Sequence, residues 1–371
     1  MKIQISTFNV NQKSLASVRP KDVAEWLLPS TNLPDLLVVG TQESLPLHEA
    51  LSGVNASDNL RSTSSVVHRA LSMISTSGKV EQDKTTSDDP IYVSLSQQYF
   101  SNLTLLVYAR PHVASTFVRS TTHSVGFGLG GVMSNKGALS TQVQLRDGDY
   151  TFVNAHLAAH DAYTQRRNED YDAIVTRIPS LYDTDHLFIF GDLNYRLNAH
   201  AEQKIVDLEK LATHDQLSQE KNKGSTMVGM SEGSFAQFLP TYKYHIGSID
   251  AVNTRRTPSW TDRVLFASKS PSHCTLYDSY PNITISDHKP VSAVVIVDAE
   301  AANDISNTLA PRSINHGRLP DTNALYKAYA GAAADRLVGY TWLCFYLAGW
   351  GSSVRGAVAI AIAALTYYLV Y

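Results

Sequence analysis

Residues 186–197 read HLFIFGDLNYRL. A short apolar run, His186–Phe190, is followed at once by Gly191, Asp192 and Asn194. A run of that length, closed by a turn signal, predicts a strand buried on both faces that delivers a carboxylate and an amide to the point where the chain leaves the sheet. Such a pair can hold water and a metal ion beside a phosphate. Gly-Asp is also an ordinary turn dipeptide, so the weight comes from repetition. Other apolar runs in this chain also end in acidic, amide or imidazole side chains.

Further strands are predicted at Ile3–Val10, Asp35–Gly40, Leu103–Ala109, Ala138–Leu145, Tyr150–Ala155, Arg263–Ala267 and Val291–Val297, each rich in β-branched, aromatic or leucine side chains. Helices fit between them at Lys21–Leu28, Ala162–Arg177 and Ala201–Leu211. Residues 52–96 carry many Ser, Thr and Asp and break the periodicity, which predicts a helix flanked by a surface loop. Numerous strands apolar on both faces predict an α/β domain over residues 1–298, with two sheets packed face to face and covered by helices.

The chain has 371 residues and a net charge of −3, so it lacks the basic excess of a nucleic-acid binder. Two cysteines, Cys274 and Cys344, cannot form a disulfide framework and fit a reducing compartment. Residues 299–336 read as a linker. Leu337–Val354 then runs without a charged residue, Arg355 interrupts, and Gly356–Tyr371 is again uncharged. A bilayer core takes about 20 apolar residues, so residues 337–371 are expected to be a C-terminal hydrophobic helical anchor, as one span or a hairpin. A buried terminal helix pair is the plainer alternative. An anchor at this end would leave the preceding domain in the cytosol.

Taken in order, the strand ends offer Asn9 and Asn11, then Gln42 and Glu43, then Asn154, His156 and His160, then Asp192 and Asn194. Asp262 stands just ahead of a strand, and Asp287 and His288 stand just before another. If these strands neighbour one another, their side chains converge on one rim, where ligands of open α/β sheets bind. The set fits hydrolysis at phosphorus. Glu43 with Asn11 suffices for Mg²⁺, which takes few protein ligands and keeps several waters. Asp287 is a further candidate ligand, with a turn before Pro290 as the plainer reading. Asp192 orients or deprotonates the attacking water, helped by Asn194. His288 hydrogen-bonds the phosphoryl group with Asp262 on its far nitrogen, and His156 donates to another oxygen. Cys274 lacks the C-x₅-R arrangement of a cysteine phosphatase.

These motifs resemble the inositol polyphosphate 5-phosphatases of the endonuclease/exonuclease/phosphatase superfamily. FNVN, GTQE, SNKGALS, FVNAHLAAH, RRNEDY, FGDLNYRL, PTYKY, RTPSWTDRVLF and SDHKPV are similar to the blocks of that family, in order, over nearly all of residues 1–298. The resemblance implies a four-layer α/β sandwich, Mg²⁺ dependence and removal of a 5-phosphate from an inositol head group. It makes Asn11 and Glu43 the metal pair, Asp192 and Asn194 the water-handling pair, and His156, Asp262 and His288 the groups at the scissile phosphate. Tyr242, Lys243 and Arg256 are similar to residues that hold a neighbouring 4-phosphate, with Lys136 and Arg167 as further basic candidates. Phe8, Gln12, His245 and Thr254 depart from the usual family residues.

With the tail near a membrane, the expected substrate is a phosphoinositide lipid, phosphatidylinositol 4,5-bisphosphate first, at the endoplasmic reticulum with the domain facing the cytosol. A superfamily nuclease and an inactive membrane-tethered phosphoinositide binder are the alternatives. The nuclease lacks its basic groove, and the binder has no need of Glu43, Asp192 and His288.

Overall fold

Two strand pairs buried along almost their whole length form the centre of the molecule. The computed structural model describes residues 1–28, 33–76, 90–179, 181–198, 207–253, 255–298, 309, 319–347, 358 and 361–367. In chain order the elements are β1 (Lys2–Asn9), α1 (Pro20–Leu27), β2 (Leu36–Gln42), α2 (Leu47–Ser52), α3 (Ala56–Thr76), β3 (Val93–Phe100), β4 (Leu103–Ala109), α4 (Pro111–Ala114), β5 (Phe117–Gly126) and β6 (Gly137–Leu145). There follow β7 (Gly148–His156), α5 (Thr164–Arg177), β8 (His186–Asp192), α6 (Leu208–Ala212), α7 (Gln216–Asn222), β9 (Ser231–Glu232), β10 (Asp262–Ser268), β11 (Ser272–Ser279), β12 (Val291–Val297) and α8 (Ala324–Leu347).

One sheet has the order β11-β12-β1-β2-β4-β3 and the other β5-β6-β7-β8-β10-β9. Each is mixed and contains one parallel pair, β1 with β2 and β7 with β8, among antiparallel neighbours. Side chains alternate across each strand. On β8, Phe188 and Phe190 point between the sheets, where they pack with Ile5, Val38, Leu105, Phe152 and Val264. Leu187 and Ile189 point outward to Tyr171 and Ile174 of α5 and Leu217 of α7. The outer face of the first sheet is covered by Trp26 and Leu27 of α1 and Val66 and Val67 of α3. The layers are therefore helix, sheet, sheet, helix.

A polar clasp joins the sheets at one rim. Asn154 on β7 donates to Thr41 O at 3.0 Å and to Thr104 O at 2.8 Å, both on the opposite sheet. Its Oδ1 accepts from Gln42 Nε2 at 2.6 Å, and Gln42 also donates to Thr7 Oγ1 at 3.0 Å. Gly40 permits this approach: a Cβ there would lie 2.6 Å from Phe190 and 2.9 Å from Asn154 Cγ. Gly191, with φ of +131°, has no room for a Cβ against Ala155 O.

The strands expected from the sequence are all present. β3, β5 and β11 were not expected: their side chains are largely exposed or half-buried, so they lack the apolar run that marks a central strand. Residues 201–206, the start of one expected helix, lie outside the described residues, and the helix there is Leu208–Ala212. The expected linker does not run to residue 336. Its described part includes the first half of α8, which starts at Ala324 and passes through residue 337 without a break. Alanine-rich sequence favours that helix. No helix among the described residues is long and apolar enough to cross a membrane. Residues 348–357, 359–360 and 368–371 of the expected anchor lie outside the described residues.

Replacing Asn154 by Ala leaves two buried carbonyls and Gln42 without their partner. The expected loss is about 2 kcal/mol or more of unfolding free energy, read by chemical denaturation. A loss below about 0.5 kcal/mol, the usual range for an inconsequential surface change, would show that the clasp is dispensable.

Candidate active site

The rim beside the clasp collects the ends of β1 and β2 from one sheet and of β7, β8 and β10 from the other. Asn9, the last residue of β1, directs Nδ2 to Asp192 Oδ2 at 2.9 Å and to Glu43 Oε1 at 3.4 Å. Its Oδ1 accepts from the Asn11 backbone N–H at 3.0 Å, which folds the chain back over the site. His156 Nε2 lies 3.3 Å from Asp192 Oδ2 and 3.7 Å from Glu43 Oε1, and it also contacts Lys136 Nζ. Asp192 Oδ1 accepts from the Asn194 backbone N–H at 3.1 Å. Asn11, Glu43 and Asn194 all have positive φ, at 48°, 50° and 56°. Backbone of this kind costs free energy and concentrates where side chains must be aimed.

Facing Asp192 is a second group. His288 Nδ1 is 2.9 Å from Asp262 Oδ2, and its Nε2 is 3.9 Å from Asp192 Oδ2. Asp262 Oδ2 also accepts from Thr241 Oγ1 at 2.6 Å and Thr261 Oγ1 at 2.9 Å. The His288 ring is 4.5 Å from that of Tyr242, tilted by 38°, and the Arg196 guanidinium lies over the Tyr242 ring at 4.3 Å. Arg196 also bonds Asn194 Oδ1.

The electrostatics follow from this geometry. Burial, the largest influence on Asp192, would raise its pKa, but His288, His156 and Lys136 outweigh it and hold the carboxyl well below the usual range. Burial would likewise lower the His288 pKa, but Asp262 and Asp192 outweigh it and raise it to about 9. The imidazole is thus protonated at neutral pH, with Nδ1–H donating to Asp262 and Nε2–H turned to the site. Loss of water lowers the pKa of half-buried Lys136, an effect that Asp192 and Glu43 partly offset.

Glu43 and Asp192 share a single amide NH₂ between them. Two carboxylates that meet at one amide NH₂ and at His156 Nε2 fit a hard, oxygen-seeking cation. Asp192, Asp262 and His288 also lie within 4.8 Å of one another, but Asp262 Oδ2 is already engaged by Thr241, Thr261 and His288 Nδ1. The Glu43 side is therefore where a metal fits.

Over residues 6–294 the chain matches the family described as Endonuclease/Exonuclease/phosphatase family 2. The chain belongs to that family. Within it, the chain is homologous to the inositol polyphosphate 5-phosphatases. It is 32% identical over 308 residues to polyphosphatidylinositol phosphatase INP53 of Saccharomyces cerevisiae, an alignment covering 78% of this chain and 26% of that protein. It is 31% identical over 324 residues to the type II inositol 1,4,5-trisphosphate 5-phosphatase of Mus musculus, covering 81% and 30%. The chain thus spans less than a third of the length of these relatives. Among solved structures, the inositol polyphosphate 5-phosphatase domain of SPsynaptojanin, in complex with inositol (1,4)-bisphosphate and calcium ion, superposes with a TM-score of 0.67 at 28% identity, covering 81% of this chain and 86% of that one. The ferrous NO complex of Cimex nitrophorin shares the fold alone, with a TM-score of 0.61 at 23% identity over 80% of this chain and 97% of that one. The fold thus houses unlike ligands, and function must be argued from the site.

In this 5-phosphatase homologue Glu43, His156, Asp192, Asn194, Asp262 and His288 come together as the sequence predicted. Lys136 joins them through His156. Asn11 contributes its backbone N–H, while the amide side chain between the two carboxylates is that of Asn9, which the sequence offered at the same strand end but did not assign to the metal. Asp287 is drawn to Lys243, 2.7 Å away, rather than to Glu43, so the expected metal ligand is an ion-pair partner instead. Arg167 is also corrected. It is fully buried, donating to the carbonyls of Ala158 and His160 and to Gln216 Oε1, and it holds a loop instead of facing substrate. His160 is exposed, with Tyr163 against its ring. Tyr242 and Lys243 are half-buried beside His288, and Arg256 is exposed on the following loop. The sequence reading missed Arg196, although it lies inside GDLNYRL two residues beyond Asn194. It also missed Thr241 and Thr261, which lie inside PTYKY and RTPSWTDRVLF, motifs already singled out.

The raised His288 pKa carries a sign. Stability contributed by this proton is complete below the ordinary histidine value of 6.5 and is lost as pH rises through about 9. NMR titration of the imidazole is expected to give a midpoint near that value in the native chain. In Asp262→Asn the midpoint is expected to fall by more than one unit, because Asp262 is the largest influence that raises it. An unchanged midpoint would contradict the pairing.

Proposed function

We propose that the chain is a Mg²⁺-dependent phosphoinositide 5-phosphatase that converts phosphatidylinositol 4,5-bisphosphate to phosphatidylinositol 4-phosphate by direct attack of water. The observation that carries this reading is the meeting of Asn9 and Glu43 with His156 and Asp192, opposite the Asp262–His288 pair. The names of the relatives support the reaction class. The ligand of the SPsynaptojanin domain, inositol (1,4)-bisphosphate, has the form of a product without a 5-phosphate.

Glu43, with the Asn9 and Asn11 amides beside it, would hold Mg²⁺, which when bound draws negative charge from the phosphoryl oxygens and the leaving oxygen. The remaining chemistry lies with the chain's own groups. Asp192 is ionised and fixed by Asn9 and by the Asn194 N–H. A carboxylate with so low a pKa is a weak base, so it orients the attacking water more than it deprotonates it. Protonated His288 donates from Nε2 to a phosphoryl oxygen, and Asp262 keeps that proton in place. Lys136 and His156 bind another oxygen. Tyr242, Lys243 and Arg256 are the groups assigned to the adjacent 4-phosphate; Arg supplies a planar fork and Lys a point charge.

The uncharged stretch Gly356–Tyr371, which lies beyond α8, supports an anchor in the endoplasmic reticulum membrane, with the catalytic domain in the cytosol and close to lipid substrate. Confinement of this kind raises the effective substrate concentration without any new contact. Alkaline extraction of membranes checks this: an anchored chain stays with the lipid, and release into the supernatant would contradict it.

The direct test is phosphate release from phosphatidylinositol 4,5-bisphosphate vesicles. Chelation of divalent metal is expected to abolish turnover and Mg²⁺ to restore it. Asp192→Ala is expected to lower kcat by about 10³-fold with its circular dichroism unchanged. Turnover within twofold of the native chain would remove Asp192 from its role. Arg256→Ala is expected to raise KM about tenfold for 4-phosphorylated substrates only. An equal change for substrates lacking that phosphate would contradict the assignment.

A further inference from the structure

The family match ends at residue 294, yet helix α8 lies against the catalytic domain next to the site. Its contacts fall at Gly331, Asp335 and Gly339, four residues apart, and again at Tyr346, seven residues on. Gly331 lies against the backbone carbonyl of Val132, with no room for a Cβ. Asp335 is buried, and its two carboxylate oxygens accept from the Ser134 backbone N–H at 3.0 and 3.2 Å. Gly339 meets the backbone of Leu51 and Ser52 in α2, the helix that begins four residues after Glu43. Tyr346 stacks on His48 of α2 with centroids 5.0 Å apart. At the near end, Asp321 accepts from Arg177 at 3.1 Å, and its backbone N–H donates to Thr176 O at 2.9 Å.

The segment that α8 holds is the loop between β5 and β6. Within that loop Leu129 N–H donates to Asn135 Oδ1 at 3.0 Å, Gly128 N–H to Met133 O at 2.9 Å, and Phe127 N–H to Lys136 O at 3.0 Å. On the other side, Arg177 donates to Gly126 O and Gly131 O, and Arg166 to Phe127 O. The loop is anchored by buried Phe127 and Met133 and ends at Lys136, the cation that reaches His156 in the site. Buried Ser134 N–H has Asp335 as its acceptor, and a buried amide that loses its acceptor drives its segment to rearrange.

We propose that α8 is part of the catalytic unit and that Asp335 is a positioning residue: by holding Ser134 it sets the 127–136 loop and so places the Lys136 ammonium on the phosphate-binding side of the site. The proposal rests on the phosphatase reading of that site. Asp335 touches no substrate. Its effect passes through two residues of backbone to Lys136, and displacement of a binding group by about an ångström is enough to cost activity.

The test uses the full chain. Asp335→Ala is expected to lower kcat/KM about tenfold, with the thermal midpoint still well above the assay temperature. Asp335→Asn keeps an oxygen acceptor for Ser134 and is expected to recover most of the activity. In a Lys136→Ala background, Asp335→Ala is expected to change kcat/KM less than about twofold, because residues acting as a unit are not additive. An equal factor in both backgrounds, or no loss in the native background, would overturn the proposal. Hydrogen exchange of the 127–136 amides reads the tether without substrate. Faster exchange in Asp335→Ala and native protection in Asp335→Asn are expected, and unchanged exchange in Asp335→Ala would overturn the proposal. A native chain that releases no phosphate would defeat the phosphatase reading, while the exchange measurement would still decide whether Asp335 holds the loop.

Discussion

The hydrogen bonds of Asn154 help hold together two sheets whose facing sides meet largely through apolar contacts. Hydrophobic packing is non-directional and would tolerate a slip of one sheet on the other. A directional amide that donates to two carbonyls of the opposite sheet and accepts from Gln42 does not. This matters because the site is divided. Asn9 and Glu43 belong to one sheet and His156, Asp192 and Asp262 to the other. A shift of one residue, about 3.3 Å, would carry Asn9 away from Asp192 and leave two half-sites.

The site gathers charge that neither half could hold alone. A buried carboxylate is costly unless it is paired and hydrogen-bonded. Asp192 meets this condition through Asn9, His156 and the Asn194 N–H, and Asp262 through His288, Thr241 and Thr261. The result is a low-pKa carboxylate opposite a protonated imidazole, both largely buried. Groups fixed in this way need little reorganisation when charge develops on a phosphoryl oxygen. The contacts of Tyr242 with Arg196 and His288 extend the order outward to the groups assigned to the neighbouring phosphate.

Much of this was legible because buried strands write themselves as apolar runs. HLFIF, LLVV and VSAVVIV each became a central strand, and the polar residues after them became the rim. The edge strand β5, FVRSTTHSVG, escaped because its side chains face solvent and its membership rests on backbone pairing to β6. The site residues misjudged were those whose type does not reveal direction. Arg167 sits beside a phosphatase-like motif, but a helix aims it inward to carbonyls. Asp287 adjoins His288, but successive residues diverge, and Lys243 takes its carboxylate. Asn9 and Asn11 are two apart, and only the fold shows which amide lies between the carboxylates. The C-terminal helix was the hardest to read. Its composition resembles an anchor, while the three positions that dock it, Gly331, Asp335 and Gly339, are visible only once their partners in the domain are placed.

The central claim is that the rim cleaves one particular phosphate ester, and position-resolved product analysis tests it most directly. Full-length chain with Mg²⁺ is given phosphatidylinositol 4,5-bisphosphate in vesicles, and the lipid product is separated by phosphate position. The account predicts phosphatidylinositol 4-phosphate and free phosphate in equal amounts. Accumulation of phosphatidylinositol 5-phosphate, or an untouched lipid alongside cleavage of an abasic DNA duplex by the same sample, would contradict it.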